Sequence, residues 1–267
     1  MVKFSCFVDF SNLLGSLKKL NLKVDDYQQF FMHVFKESYS SFQKSVIHGS
    51  QPDALINRVY WYVVGNTDDY NFDDLTTKDF LRNLFSHNTE TRTAFQSKIG
   101  KENPGLPANV VYEKAFEEFY DDRRNWYIDR KTKIKGFCDF YDKIRKTCDF
   151  IDISECGFWK LDFISKDVDE KGLDTSLAVD SVTMLDTYDV ALIVSGDADM
   201  IPSIQYLRKH GKHVGVVSFI KGYPPEKKGR QQSRRLSKAA DFDTQIFETD
   251  LAKMEFVHHL RNDEPDI

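Results

Sequence analysis

The chain has 267 residues, of which 41 % are hydrophobic. That length and composition bury a sizeable core and exclude a disordered chain. The net charge of −5 does not by itself point to a polyanionic partner, and no apolar run approaches the roughly 20 residues of a membrane span.

In chain order, residues 4–8 read as a first strand covered on both faces, because the run is almost continuously apolar. Asp9 ends that run, which excludes a signal peptide there and makes the cytoplasm the expected compartment. Residues 27–39 read as a helix, with Phe30, Phe31, Val34 and Phe35 at helical spacing. Residues 58–64 read as a second strand. From Asn66 to Lys135 the rhythm breaks: the stretch is charged, rich in Phe and Tyr, and carries the turn signal NPGLP at 103–107. It reads as a mainly helical insertion with one strand near 110–112, its aromatics packed in a core rather than displayed for base stacking. Residues 150–163 look strand-like, in two pieces around Gly157.

A helix is expected over 175–185, with Leu177, Val182 and Leu185 inward, then a strand over 190–194. The next helix spans 200–210, with Met200, Ile204 and Leu207 on one face and Gly211 as its stop. Residues 213–219 form the next strand, 222–234 (GYPPEKKGRQQSR) a loop, and 251–267 a C-terminal helix and polar tail. Strand alternating with helix argues for one α/β domain over 1–250, with a parallel sheet, right-handed crossovers and the insertion at 66–135. The four cysteines, Cys6, Cys138, Cys148 and Cys156, form no CxxC pair and read as reduced thiols.

Ligands of open α/β sheets bind outside the carboxyl ends of the strands. Three acidic motifs fall there. Asp9 ends the first strand in FVDFSN at 7–12. Asp197 and Asp199 follow the 190–194 strand in VSGDAD at 194–199. Asp174 opens a helix in EKGLD at 170–174. If the 4–8 and 190–194 strands lie side by side in parallel, these carboxylates converge. Packed carboxylates repel one another, and a hard divalent cation with oxygen ligands relieves that repulsion. Such an ion polarises phosphoryl oxygens and activates water, which suits phosphodiester hydrolysis. Each acid also has a structural role open to it. Asp174 and Asp199 can each be a helix N-cap, and Asp9 and Asn12 can stabilise the turn after the strand. Asp197 beside Gly196 fits a tight turn that presents its side chain. Asp180 points about 120° away from Asp174 on a helix, as a supporting acid, a further ligand or a partner for a lysine.

These motifs resemble the NYN branch of the PIN-like nuclease superfamily, most closely its bacterial LabA-like group. The match lies in FVDFSN at 7–12, KGLDTSLAVD at 171–180, VSGDADMIP at 194–202 and the spacing Ser233, Leu236, Ala240, Asp241. The region 66–135 is not covered by it. The resemblance implies a three-layer α/β/α sandwich with a central parallel sheet and a Mg²⁺- or Mn²⁺-dependent ribonuclease. It places Asp9, Asp174, Asp197 and Asp199 on the family's acidic positions, Asn12 on its asparagine and Asp180 on the later acid of the helix motif. Phe10-Ser11 and Met200 depart from the family's usual residues, and neither removes a ligand.

Between Lys221 and Lys238 lie seven basic residues and one acid, a charge of +6 that leaves −11 for the rest. Lys227, Lys228, Arg230, Arg234, Arg235 and Lys238 follow the 213–219 strand, so they leave the sheet on the edge that carries the acids. Cations beside an acidic metal site suit a phosphate-backbone substrate, and single-stranded RNA is the expected partner. A solvated loop is the structural alternative. A non-catalytic RNA-binding module is the functional alternative to a nuclease. Ser11 stands where a haloacid-dehalogenase-type site wants a second aspartate, and neither a P-loop nor a GxGxxG fingerprint is present. A homo-oligomer is compatible with the sequence, which sets no particular state.

Overall fold

Strand β1 (Val2–Asp9) occupies the middle of the sheet because both of its faces are apolar: Phe4, Cys6 and Val8 turn one way, Phe7 the other, and all are buried. The structure is a computed structural model, and residues 1–47, 49, 52–224 and 234–260 are described. After β1 come α1 (Phe10–Lys19), β2 (Leu22–Val24), α2 (Tyr27–Ser45) and β3 (Ala54–Thr67). Then α3 (Leu75–His87), α4 (Thr89–Glu102) and α5 (Ala108–Thr147) lead to β4 (Ile151–Asp162) and β5 (Asp167–Lys171). The rest runs α6 (Leu173–Thr183), β6 (Val190–Val194), α7 (Ile201–Lys209), β7 (His213–Ile220), α8 (Arg234–Ala239), β8 (Phe242–Phe247), α9 (Glu248–Leu251) and β9 (Val257–His259). Short 3-10 turns stand at Leu185–Thr187 and Ala198–Met200.

Contacts divide the chain into two units. The first comprises Met1–Val64, Asp139–Gly157 and Gly172–Ile267. Its strands lie in the order β4-β3-β1-β6-β7-β8. β1 is parallel to β3 and β6, β6 to β7, and β7 to β8, so the carboxyl ends of these five strands share one edge. Helices cover both faces. On one, Phe4 meets Phe35, Tyr39 and Phe42 of α2, and Trp61 of β3 meets Tyr27 and Phe31. On the other, Phe7 stacks on Tyr60 at 5.2 Å and meets Tyr188 edge-on, while Tyr62 reaches α6. The three-layer α/β/α arrangement follows, with each fully buried Phe contributing roughly 1.5–3 kcal/mol. α2 starts on Asp26, whose carboxylate accepts the Gln29 backbone N–H at 3.0 Å and the Gln29 side-chain amide at 2.9 Å. That backbone N–H, with the amide behind it, holds the Asp26 carboxyl below its usual range. β2 and β9 pair antiparallel as a separate small ribbon.

The second unit comprises Gly65–Cys138 and Phe158–Lys171. Its helices are α3, α4 and the first three-quarters of α5, and β5 pairs antiparallel with the 158–162 end of β4. α5 buries Ala115, Phe116, Phe119, Arg123 and Tyr127 at spacings of one, three and four residues, the stripe of an amphipathic helix. Phe85 joins Phe116 and Phe119, so the aromatics of this unit are largely core, as expected. Buried Arg123 donates to the carbonyls of Phe163 and Ile164 in the β4–β5 turn, pairs with Asp122, and lies 4.6 Å over the Phe119 ring. Lys166 also pairs with Asp122, at 2.6 Å.

Several expectations need correction. Residues 110–112 lie inside α5, because Tyr112 packs on Phe85 within the helical stripe. β4 runs unbroken through Gly157. β5 lies beyond the expected 66–135 segment. Residues 252–260 form turns and the three-residue β9, while the one-turn helix α9 ends at Leu251. Among the described residues no disulfide joins Cys6, Cys138, Cys148 or Cys156. Among the described residues no helix is long and apolar enough to cross a membrane.

Candidate functional site

Asp9 is the last residue of β1 and the N-cap of α1. It is only 3 % exposed, so its carboxylate needs hydrogen bonds to offset desolvation. One oxygen accepts the Asn12 backbone N–H at 2.9 Å, and the other accepts the Asn12 side-chain N–H at 2.6 Å. The Asn12 side-chain oxygen accepts the backbone N–H of Gly196 at 3.3 Å. β1 and β6 are parallel with Val8 opposite Val194, which brings the two strand ends together as required. A Cβ at position 196 would stand 3.1 Å from the Asn12 oxygen, so the close approach favours glycine there.

Beyond Gly196, the Asp197 N–H donates to the buried Ser195 hydroxyl at 3.2 Å. The half-buried Asp197 carboxylate accepts the Asp199 N–H at 2.9 Å and caps the Ala198–Met200 turn. Asp199 is exposed, and Met200 is buried beneath it. α7 then begins with Pro202 in its first turn, a position that needs no N–H.

The capping roles fall differently from expectation. Asp174 lies in the first turn of α6, but the N-cap is Gly172, at φ 95°. A Cβ at Gly172 would come 2.9 Å from the Cys156 carbonyl, so both backbone and space require glycine. Met200 precedes α7 where Asp199 was weighed as cap. The side-chain caps are Asp9 and Asp197.

Asp180 sits in the middle of α6, which packs against β1 and the Ala198–Met200 turn. Its carboxylate accepts the Tyr62 hydroxyl at 3.0 Å. Tyr62 is opposite Asp9 in the β1–β3 register and its side chain is wholly buried. Burial, followed by the Asp180 charge, pushes the Tyr62 phenol well above its usual range, so it stays a donor. Sequence reading did not single out Tyr62, since it looks like one more aromatic in an apolar strand.

Hydrogen bonds thus link Asp9 to Asn12, Asn12 to Gly196, and Asp197 to Asp199 along one sheet edge, with Asp174 and Asp180 on the adjoining helix. Among the described residues, no three His, Cys, Asp or Glu side chains are gathered tightly enough to hold an ion. The donor set itself is carboxylate and amide oxygen, the chemistry of Mg²⁺ or Mn²⁺ rather than a soft metal. Of the expected RNA-binding residues, Arg235 and Lys238 are exposed on α8, which packs against α7 and the Ala198–Met200 turn. Lys227, Lys228, Arg230 and the side chain of Arg234 lie outside the described residues.

The family model of the NYN domain matches residues 100–246, more than half of the chain. The match holds Asp174, Asp180, Asp197 and Asp199. It starts inside α4, in the region the short motifs left uncovered, and does not reach Asp9 or Asn12. No curated protein and no solved structure matches the chain.

Proposed function

The chain belongs to the NYN domain family, within the PIN-like nuclease superfamily, and from that premise we propose that it is a divalent-cation-dependent endoribonuclease acting on single-stranded RNA. The observation that carries this reading is the Asn12 bridge from Asp9 to Gly196. It ties the end of β1 to the end of β6, so acids from distant parts of the chain face one edge.

Asp9, Asp174, Asp197 and Asp199 would hold Mg²⁺ or Mn²⁺, with Asp180 as a further ligand. When bound, such an ion supplies charge neutralisation at the phosphoryl oxygens and lowers the pKa of an attacking water. Asn12 fixes the Asp9 carboxylate in one orientation, which removes reorganisation at the moment of reaction. The Asp197 cap fixes the turn that carries Asp199. Arg235 and Lys238, beside that turn, hold the phosphates flanking the scissile linkage, and Lys227, Lys228, Arg230 and Arg234 add positive charge for the same strand.

A second reading, a non-catalytic RNA-binding module, is favoured by the capping hydrogen bonds that the Asp9 and Asp197 carboxylates already accept. One assay separates them. A labelled single-stranded RNA is incubated with the chain in Mg²⁺, Mn²⁺ or EDTA. Internal fragments that need the cation support the nuclease; binding that survives EDTA with no cleavage in any condition supports the module.

A further inference from the structure

We propose that Tyr62 is a positioning residue for the cation site: its hydroxyl locks the Asp180 carboxylate to the sheet edge that carries Asp9. This rests on the nuclease reading for its purpose, but its geometry is independent of it. Three facts place Tyr62. It pairs with Asp9 in the parallel register, so the two side chains leave neighbouring strands on the same face. It is fully buried, so its ring fills fixed space rather than swinging. Its hydroxyl reaches Asp180 at 3.0 Å across the gap from strand to helix.

Asp180 lies six residues beyond Asp174, and helix geometry alone turns it away from Asp174 and deeper into α6. A carboxylate on a rotatable stem at that position would otherwise sample solvent. The phenol restricts it through one oxygen, and a carboxylate has a second oxygen with which to meet a ligand. Losing a group that orients a metal ligand in this way costs about 10–100-fold in affinity. Tyr62 therefore acts through Asp180 and touches neither substrate nor cation.

The test is Mn²⁺ binding to the full chain without RNA, followed by isothermal titration. Tyr62→Phe keeps the ring and removes the hydroxyl. It should weaken Mn²⁺ binding about tenfold, the usual scale for losing an orienting partner. Asp180→Asn keeps an acceptor for the phenol, and with it the fold, while losing the charge; it should weaken binding at least as much. The decisive arm is Tyr62→Phe in the Asp180→Asn background, which should add nothing further. A purely structural tyrosine would instead add its loss to that of Asp180→Asn. Wild-type affinity in Tyr62→Phe, additive losses, or no Mn²⁺ uptake by the wild-type chain would each overturn the proposal. Mn²⁺ uptake with this coupling but without RNA cleavage would leave the positioning intact and defeat the nuclease reading alone.

Discussion

The side-chain oxygen of Asn12 accepts the backbone N–H of Gly196 at 3.3 Å, across 184 residues of chain. That contact fastens helix α1 to the loop after β6 and leaves the Asn12 nitrogen for Asp9. Asn12→Ala should cut single-turnover RNA cleavage about a hundredfold, the scale of a small misplacement of catalytic groups. Gly196→Ala, which pushes a Cβ against the same oxygen, should lower it less. Wild-type rates in Asn12→Ala would show that the bridge is only a turn stabiliser.

Much of this edge is legible in the sequence. β1, β6 and β7 are buried on both faces, so they read as continuous apolar runs, and the acids at the ends of β1 and β6 stand out. β5 is different: its sequence, DVDEK, has mostly exposed or half-exposed charges, and only the partner strand reveals it. The residues at 110–112 look β-prone by themselves, yet the helical stripe that decides their state continues from Tyr112 far along α5. N-caps are equally hard to assign, because any acid before a helix qualifies. Only the structure shows that Gly172 starts α6 and that Asp9 and Asp197 accept backbone N–H groups.

In the second unit, Arg123 is the donor for two turn carbonyls and carries its charge into the protein. Arg123→Ala leaves those acceptors unsatisfied and removes the ring contact with Phe119. It should destabilise the chain by about 2–4 kcal/mol, read as a lower denaturant midpoint. A shift under about 0.5 kcal/mol would mean that water replaces the guanidinium without cost.

His33 on α2 should give stability an acid limb. Desolvation lowers its pKa from 6.5, aided by Lys36 and opposed by Glu37 and Asp250, and its buried Nε2 has no hydrogen-bond partner among the described residues. Below 6.5 the unfolded chain takes up a proton that the folded chain resists. Stability is therefore complete above that value and is lost as pH falls through the folded pKa. Thermal melts from pH 8 to pH 5 should show the decline, and His33→Gln should flatten it. An identical slope in the variant would assign the limb to other groups.

The basic segment should contribute through phosphate contacts. Arg234→Ala/Arg235→Ala should weaken single-stranded RNA binding and reduce the slope of log affinity against log salt by about 1–2. Equal slopes for wild type and variant would make the segment a solvated surface.

The most direct measurement is cleavage of labelled single-stranded RNA in Mn²⁺ by Asp197→Asn, beside wild type. Asparagine still accepts the Asp199 N–H, so the turn and the fold persist while one negative oxygen is lost. The expected result is cation-dependent cleavage by wild type, none by Asp197→Asn, and RNA affinity that is similar in both. Cleavage by Asp197→Asn at the wild-type rate would contradict the proposed site.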